Sequence, residues 1–177
     1  MTRPWISLLA LALPATLWVT ASIASAQDVT ASNPRSVMRA VADTEGLLVF
    51  DSDQPVFYYQ KATLSLAGNW PRANYLHPLY GLDGQILTED FPADHRHHRG
   101  VFWAWHQIRI GDVAAGDPWI CRDFVWDVTD VKTYPSKHSI TLEADVTWKS
   151  PQYTDTDGAM IPIVREWTKI TARAAQP

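Results

Sequence analysis

At 177 residues, with 46% hydrophobic and 19% charged side chains, the chain has the length and composition of one globular domain with a sizeable core. A formal charge of −4, with no basic cluster outside one His/Arg segment, argues against a nucleic-acid partner. The single cysteine, Cys121, excludes an intramolecular disulfide and reads as a small core residue between Ile120 and Arg122.

Residues 1–26 have the pattern of a signal peptide: Arg3 near the start, an apolar run, and Ala24-Ser25-Ala26 as the cleavage site. Cleavage there leaves a periplasmic or secreted protein, with no later stretch apolar for long enough to cross a membrane. Residues 27–44 are expected to be an N-terminal link, and residues 45–177 a β domain.

The periodicity from there on is mostly two. Leu47, Leu48, Val49 and Phe50 form one predicted strand, and Val56, Phe57, Tyr58 and Tyr59 the next, with a polar turn between them. Thr63 to Ala67 alternates before Gly68 breaks the pattern. Tyr75 to Tyr80 reads as an extended piece that Pro78 assigns to an edge or a bulge. Residues 101–110 are apolar on both faces at their start and are predicted as one long strand. A loop over residues 111–118 follows, then a hairpin around Pro135-Ser136-Lys137. Its second arm places Ile140, Leu142, Ala144, Val146 and Trp148 on one face. A polar turn over residues 151–158 and a last strand over residues 161–171 complete the pattern. Asp155 and Asp157 in that turn lack the glutamate of a calcium loop. With no helical period after residue 26, the expected fold is all-β, an antiparallel β-sandwich.

The chemistry concentrates in Asp94-His95-Arg96-His97-His98-Arg99-Gly100, which holds three of the six histidines. In an extended segment His95, His97 and Arg99 share one face. Imidazoles titrate near neutrality and suit acid/base work, and arginine suits a carboxylate or a developing oxyanion. His77, His95, His97 and His98 are the candidate catalytic residues. Arg72, Asp94, Arg99 and Trp103 are the candidate substrate-binding residues, Trp103 offering a flat face to a sugar ring. Against this stands a metal reading, in which His77, His95 and His97 hold a divalent transition metal. His106, eight residues beyond His98 on the expected strand, falls outside the site. His138 reads as solvated beside its turn.

The pattern R-x-x-Y-L-H-P-L from Arg72 to Leu79, followed by D-H-x-H-H-R-G-V-F-W-A-W from Asp94 to Trp105, resembles the bacterial PmoA-like family. The resemblance covers roughly residues 45 to 170 and implies an exported, mostly β protein of uncharacterised function. Members of that family usually run further, so the sandwich is expected to be C-terminally incomplete and to self-associate through an open sheet edge. A membrane oxygenase needs several apolar spans, which this sequence lacks, so oxygenase activity is not carried over. The expected function is binding of, or acid/base chemistry on, a carbohydrate or sugar acid, of epimerase, lyase or hydrolase type. The paired histidines and arginine also invite an analogy with sandwich-type sugar epimerases. The alternatives are a non-catalytic metal- or ligand-binding β module and an inactive fragment.

Overall fold

A computed structural model describes residues 37–174, and the signal-peptide reading of residues 1–26 lies outside them. Eleven strands account for the regular structure: β1 Met38–Ala42, β2 Gly46–Asp51, β3 Gln54–Gln60, β4 Leu64–Leu66, β5 Asn69–Arg72, β6 Tyr75–Leu79, β7 Ile108–Ile110, β8 Val113–Gly116, β9 Val125–Pro135, β10 Ser139–Thr154 and β11 Met160–Arg173. The fold is all-β. Every strand pairing is antiparallel, and no helix among the described residues is long and apolar enough to cross a membrane.

Two larger sheets make a sandwich, one in the order β1-β2-β3-β6 and the other β11-β10-β9. Strand β10 shows why: Ile140, Leu142, Ala144, Val146 and Trp148 alternate along it and are all buried, as their spacing predicts. Each of the larger aliphatic side chains, Ile140, Leu142 and Val146, contributes about 1.5–3 kcal/mol of hydrophobic burial. Val49 of β2 with Phe57 and Tyr59 of β3 joins the same core from the other sheet. Trp126 of β9, Trp148 and Phe124 form its aromatic centre, with ring centroids 5.9–6.3 Å apart. Strand β6 lies at the sheet edge, where Pro78 costs no ladder hydrogen bond.

Several boundaries differ from the sequence reading. The expected link holds β1, which pairs with β2 from Met38↔Asp51 to Ala42↔Leu47. The expected loop over residues 111–118 contains β8, paired with β7. The long strand over residues 101–110 does not form. Val101 makes one isolated bridge to Leu76, and only Ile108–Ile110 is strand. The backbone acceptors between them serve other partners: Trp103 O accepts from Arg72, and Trp105 O from the Trp119 amide. Apolar side chains on both faces mark burial, which an irregular segment also provides once its polar groups are satisfied.

Gly100 sits where this irregular segment crosses β6. Its φ is +72°, and a Cβ built there would lie 2.2 Å from Leu76 O. Gly100→Ala is expected to destabilise the fold by more than about 2 kcal/mol, read from the urea unfolding midpoint.

Candidate functional site

The His/Arg segment is a closed loop. Asp90 and Arg99 face each other as an antiparallel bridge, with Phe91 N donating to His98 O and Gly100 N to Glu89 O on either side. Within the loop His95 N bonds Pro92 O and His98 N bonds His95 O, so the chain turns where an extended run was expected. Arg96 Nη1 donates to Phe91 O at 2.7 Å. Phe91 takes a left-handed φ of 54°, a conformation that costs about 1–3 kcal/mol for such a residue.

The turn changes which histidines meet. Strand alternation groups His95 with His97 and Arg99, whereas the turn stacks His95 on His98, with ring centroids 4.9 Å apart and planes at 10°. His97 sets its edge against both rings, at 5.9 Å from His95 and 4.6 Å from His98. His95 is exposed and His98 half-buried. Both line a cleft of about 720 Å³ together with Glu89, Asp94, Phe102 and Trp119. Asp94 Oδ2 lies 3.1 Å from His95 Nδ1, and that contact holds its carboxyl below the usual range. Trp119, 42% exposed, stands 6.0 Å from His98 and 5.7 Å from Phe102 between ring centroids.

Both candidate arginines lie beneath this surface instead of at its rim. Arg99 is fully buried. It donates from Nε to Asp90 Oδ1 at 2.6 Å, from Nη1 to Leu64 O and Trp70 O, and from Nη2 to Tyr75 Oη. Arg72 is equally buried, bonded to Pro118 O and Trp103 O, with its Cζ 4.3 Å from the Phe102 ring centroid and 4.2 Å from that of Trp126. Burial lowers its pKa to about 10. Cys121 is buried near it, its thiol pushed up by burial, in keeping with a core role.

His77 does not join the imidazole group. Its Nδ1 lies 3.0 Å from Thr88 Oγ1, on a residue that lines the cleft, while the ring stays half-buried behind it. Among the described residues no three or more His, Cys, Asp or Glu side chains are arranged to surround one ion. The ligand set His77, His95 and His97 is therefore not assembled, because β6 holds His77 against Thr88. Trp103 is also elsewhere: it contacts Trp105 at 5.0 Å in a separate groove along Val164–Thr168 of β11. His138 is exposed, and Asp155 caps its own turn through Oδ1 to the amides of Asp157 and Ala159.

Sequence reasoning missed Glu89 and Trp119, which enter the cleft from segments with no strand period of their own. It also missed a second imidazole–carboxylate contact, between His106 Nδ1 and the buried Asp117 Oδ2 at 2.7 Å. The straight strand that placed His106 far from the site is absent. The carbonyl of its neighbour Trp105 accepts from the amide of Trp119, while the Trp105 side chain lines the separate groove.

Burial lowers the pKa of His77, and burial with the neighbouring His98 and His95 lowers that of His97, both from 6.5. The unfolded chain then binds more protons than the folded one below that value. The contribution is present above about pH 6.5 and is lost as pH falls through the lower folded values. The unfolding midpoint is expected to fall between about pH 7.5 and pH 5, and His77→Gln to flatten that dependence, as read by thermal melts across the range.

Residues 48–176 match a family of unknown function, DUF6807. No curated protein and no solved structure matches the chain. The matched segment runs from β2 through β11 and includes the whole histidine loop and its cleft: the chain belongs to the DUF6807 family.

Proposed function

We propose that this chain is an exported protein that binds a carbohydrate or sugar acid in the His95–His98–Trp119 cleft and uses its imidazoles for acid/base chemistry there. The observation that carries the reading is the stacked His95/His98 pair beside the exposed Trp119 ring. A sugar ring presents an apolar face of C–H groups and a rim of hydroxyls. Trp119 and Phe102 match the first. The imidazoles, Glu89 and Asp94 match the second as donors and acceptors. The cleft volume lies in the range of small-molecule sites, about 300–1,000 Å³. With Arg72 and Arg99 committed to the interior, recognition of a sugar carboxylate falls to His95 and His98. The Asp94–His95 contact orients one imidazole, leaving its Nε2 to exchange a proton with a ligand hydroxyl or carbon acid. Kinship with the PmoA-like family rests on the motif alone, and export on residues 1–26.

Titration of the purified protein with uronic acids and neutral hexoses, followed by tryptophan fluorescence and calorimetry, tests the reading. Saturable binding is expected. Trp119→Ala and His98→Ala are each expected to weaken it by about tenfold or more, with Trp167→Ala, on β11 outside the cleft, as the unaffected control. Absence of saturable binding across the series, or equal binding by all three variants, would contradict it.

A further inference from the structure

The contact between His106 and Asp117 has a division of exposure that the other ion pairs among the described residues lack. The Asp117 side chain is 2% exposed and the His106 side chain 63%. Asp117 Oδ1 is occupied, accepting from the Trp119 amide at 3.1 Å and the Ile120 amide at 3.4 Å. Oδ2 has no aligned hydrogen-bond donor among the described residues, although His106 Nδ1 lies only 2.7 Å away. A buried carboxylate oxygen left in that state costs about 1–3 kcal/mol, more if charged. A small turn of the exposed imidazole directs Nδ1–H onto it, and such bonds often tighten only when ligand is bound.

We infer that His106 and Asp117 form an acid/base dyad, in which Asp117 positions the ring and balances its charge while His106 Nε2 exchanges a proton with a ligand at the Trp119 side of the cleft. Once Nδ1–H is turned onto Asp117, the neutral ring of this exposed side chain carries its lone pair on Nε2. Nε2 takes the proton of a hydroxyl, a water or a carbon acid. The new N–H bond forms as the O–H or C–H bond breaks, and the electron pair stays on the oxygen or carbon. The resulting imidazolium is held by the Asp117 carboxylate and later returns the proton to the product.

The plainer role, a pin between residues 102–107 and 117–122, is already filled by the Trp119 N to Trp105 O bond and by Arg72, which donates to both Trp103 O and Pro118 O. A pin also needs no group that titrates near neutrality, since arginine would hold the carboxylate throughout that range. Two further facts set Asp117 close to the cleft. Trp119, bonded to Asp117 through its amide, is the cleft wall that faces His97 and His98. The Asp117 charge also reaches His97, raising its pKa against the effects of burial, His98 and His95. The inference relies on the proposed ligand site only for where the ligand lies. The dyad's own chemistry is independent of it.

The test uses p-nitrophenyl acetate as a probe that needs no natural substrate. A water that Nε2 deprotonates attacks the acetyl carbon, the bond from that carbon to the aryloxy oxygen breaks, p-nitrophenolate and acetate leave, and Nε2 returns its proton to solvent. His106→Gln is expected to lower the protein's hydrolysis rate at least about fivefold, even with the other histidines present. Asp117→Asn is expected to lower the rate, because the ring loses the group that positions it and the imidazolium its counter-charge. Long-range proton–nitrogen spectra of the wild type are expected to show His106 as the Nδ1–H tautomer, with circular dichroism confirming that both variants fold. An unchanged rate in a folded His106→Gln, or an Nε2–H tautomer, overturns the dyad. A dyad signal in a protein that takes no sugar supports this inference and defeats the cleft reading alone.

Discussion

The buried guanidinium of Arg99 is the interaction on which the rest of the site depends. Taking such a charge out of water costs several kcal/mol, and only complete pairing offsets it. Arg99 achieves that pairing with Asp90, the Tyr75 hydroxyl and the carbonyls of Leu64 and Trp70. Those partners come from β4, β5, β6 and the base of the histidine loop, so one side chain ties four segments that are otherwise joined by short ladders. The Asp90–Arg99 bridge then closes residues 91–98 into a loop of fixed span. Gly100 next to it permits a backbone approach to Leu76 that no other residue allows.

That arrangement divides the labour within a motif whose residues look alike in chemistry. Arg72 and Arg99 face inward and are consumed by carbonyls, a carboxylate, a hydroxyl and aromatic rings. His95 and His98 line the cleft and, among the described residues, share no side-chain hydrogen bond with the core. Frame and surface are thus built from adjacent residues. Arginine suits the frame because its planar donors satisfy several carbonyls at once, and histidine suits the surface because its protonation changes near neutrality.

The strands were largely legible in the sequence, because a half-buried strand writes its period directly into the side chains. The row from Ile140 to Trp148 and the edge position of Pro78 follow from that alone. The site was less legible, because its geometry depends on partners remote in sequence. Nothing local distinguishes an extended Asp94–Gly100 from the turn that Asp90 and Glu89 close. The apolar run after Gly100 has the composition of a two-faced strand, but its carbonyls are taken by Arg72 and Trp119, from positions 31 residues before and 14 after. His106 was misplaced for the same reason. Strands β1, β5 and β8, of four or five residues with little apolar alternation, left no such mark.

Equilibrium urea unfolding of Arg99→Met beside a His95→Ala/His98→Ala double variant tests this account most directly. The account predicts a loss of about 3–5 kcal/mol in the first, which leaves the Asp90 carboxylate buried without its partner. It predicts a change of no more than about 1 kcal/mol in the second, since side chains kept for a ligand hold little of the fold. Comparable large losses in both would show the imidazoles to be framework and contradict it.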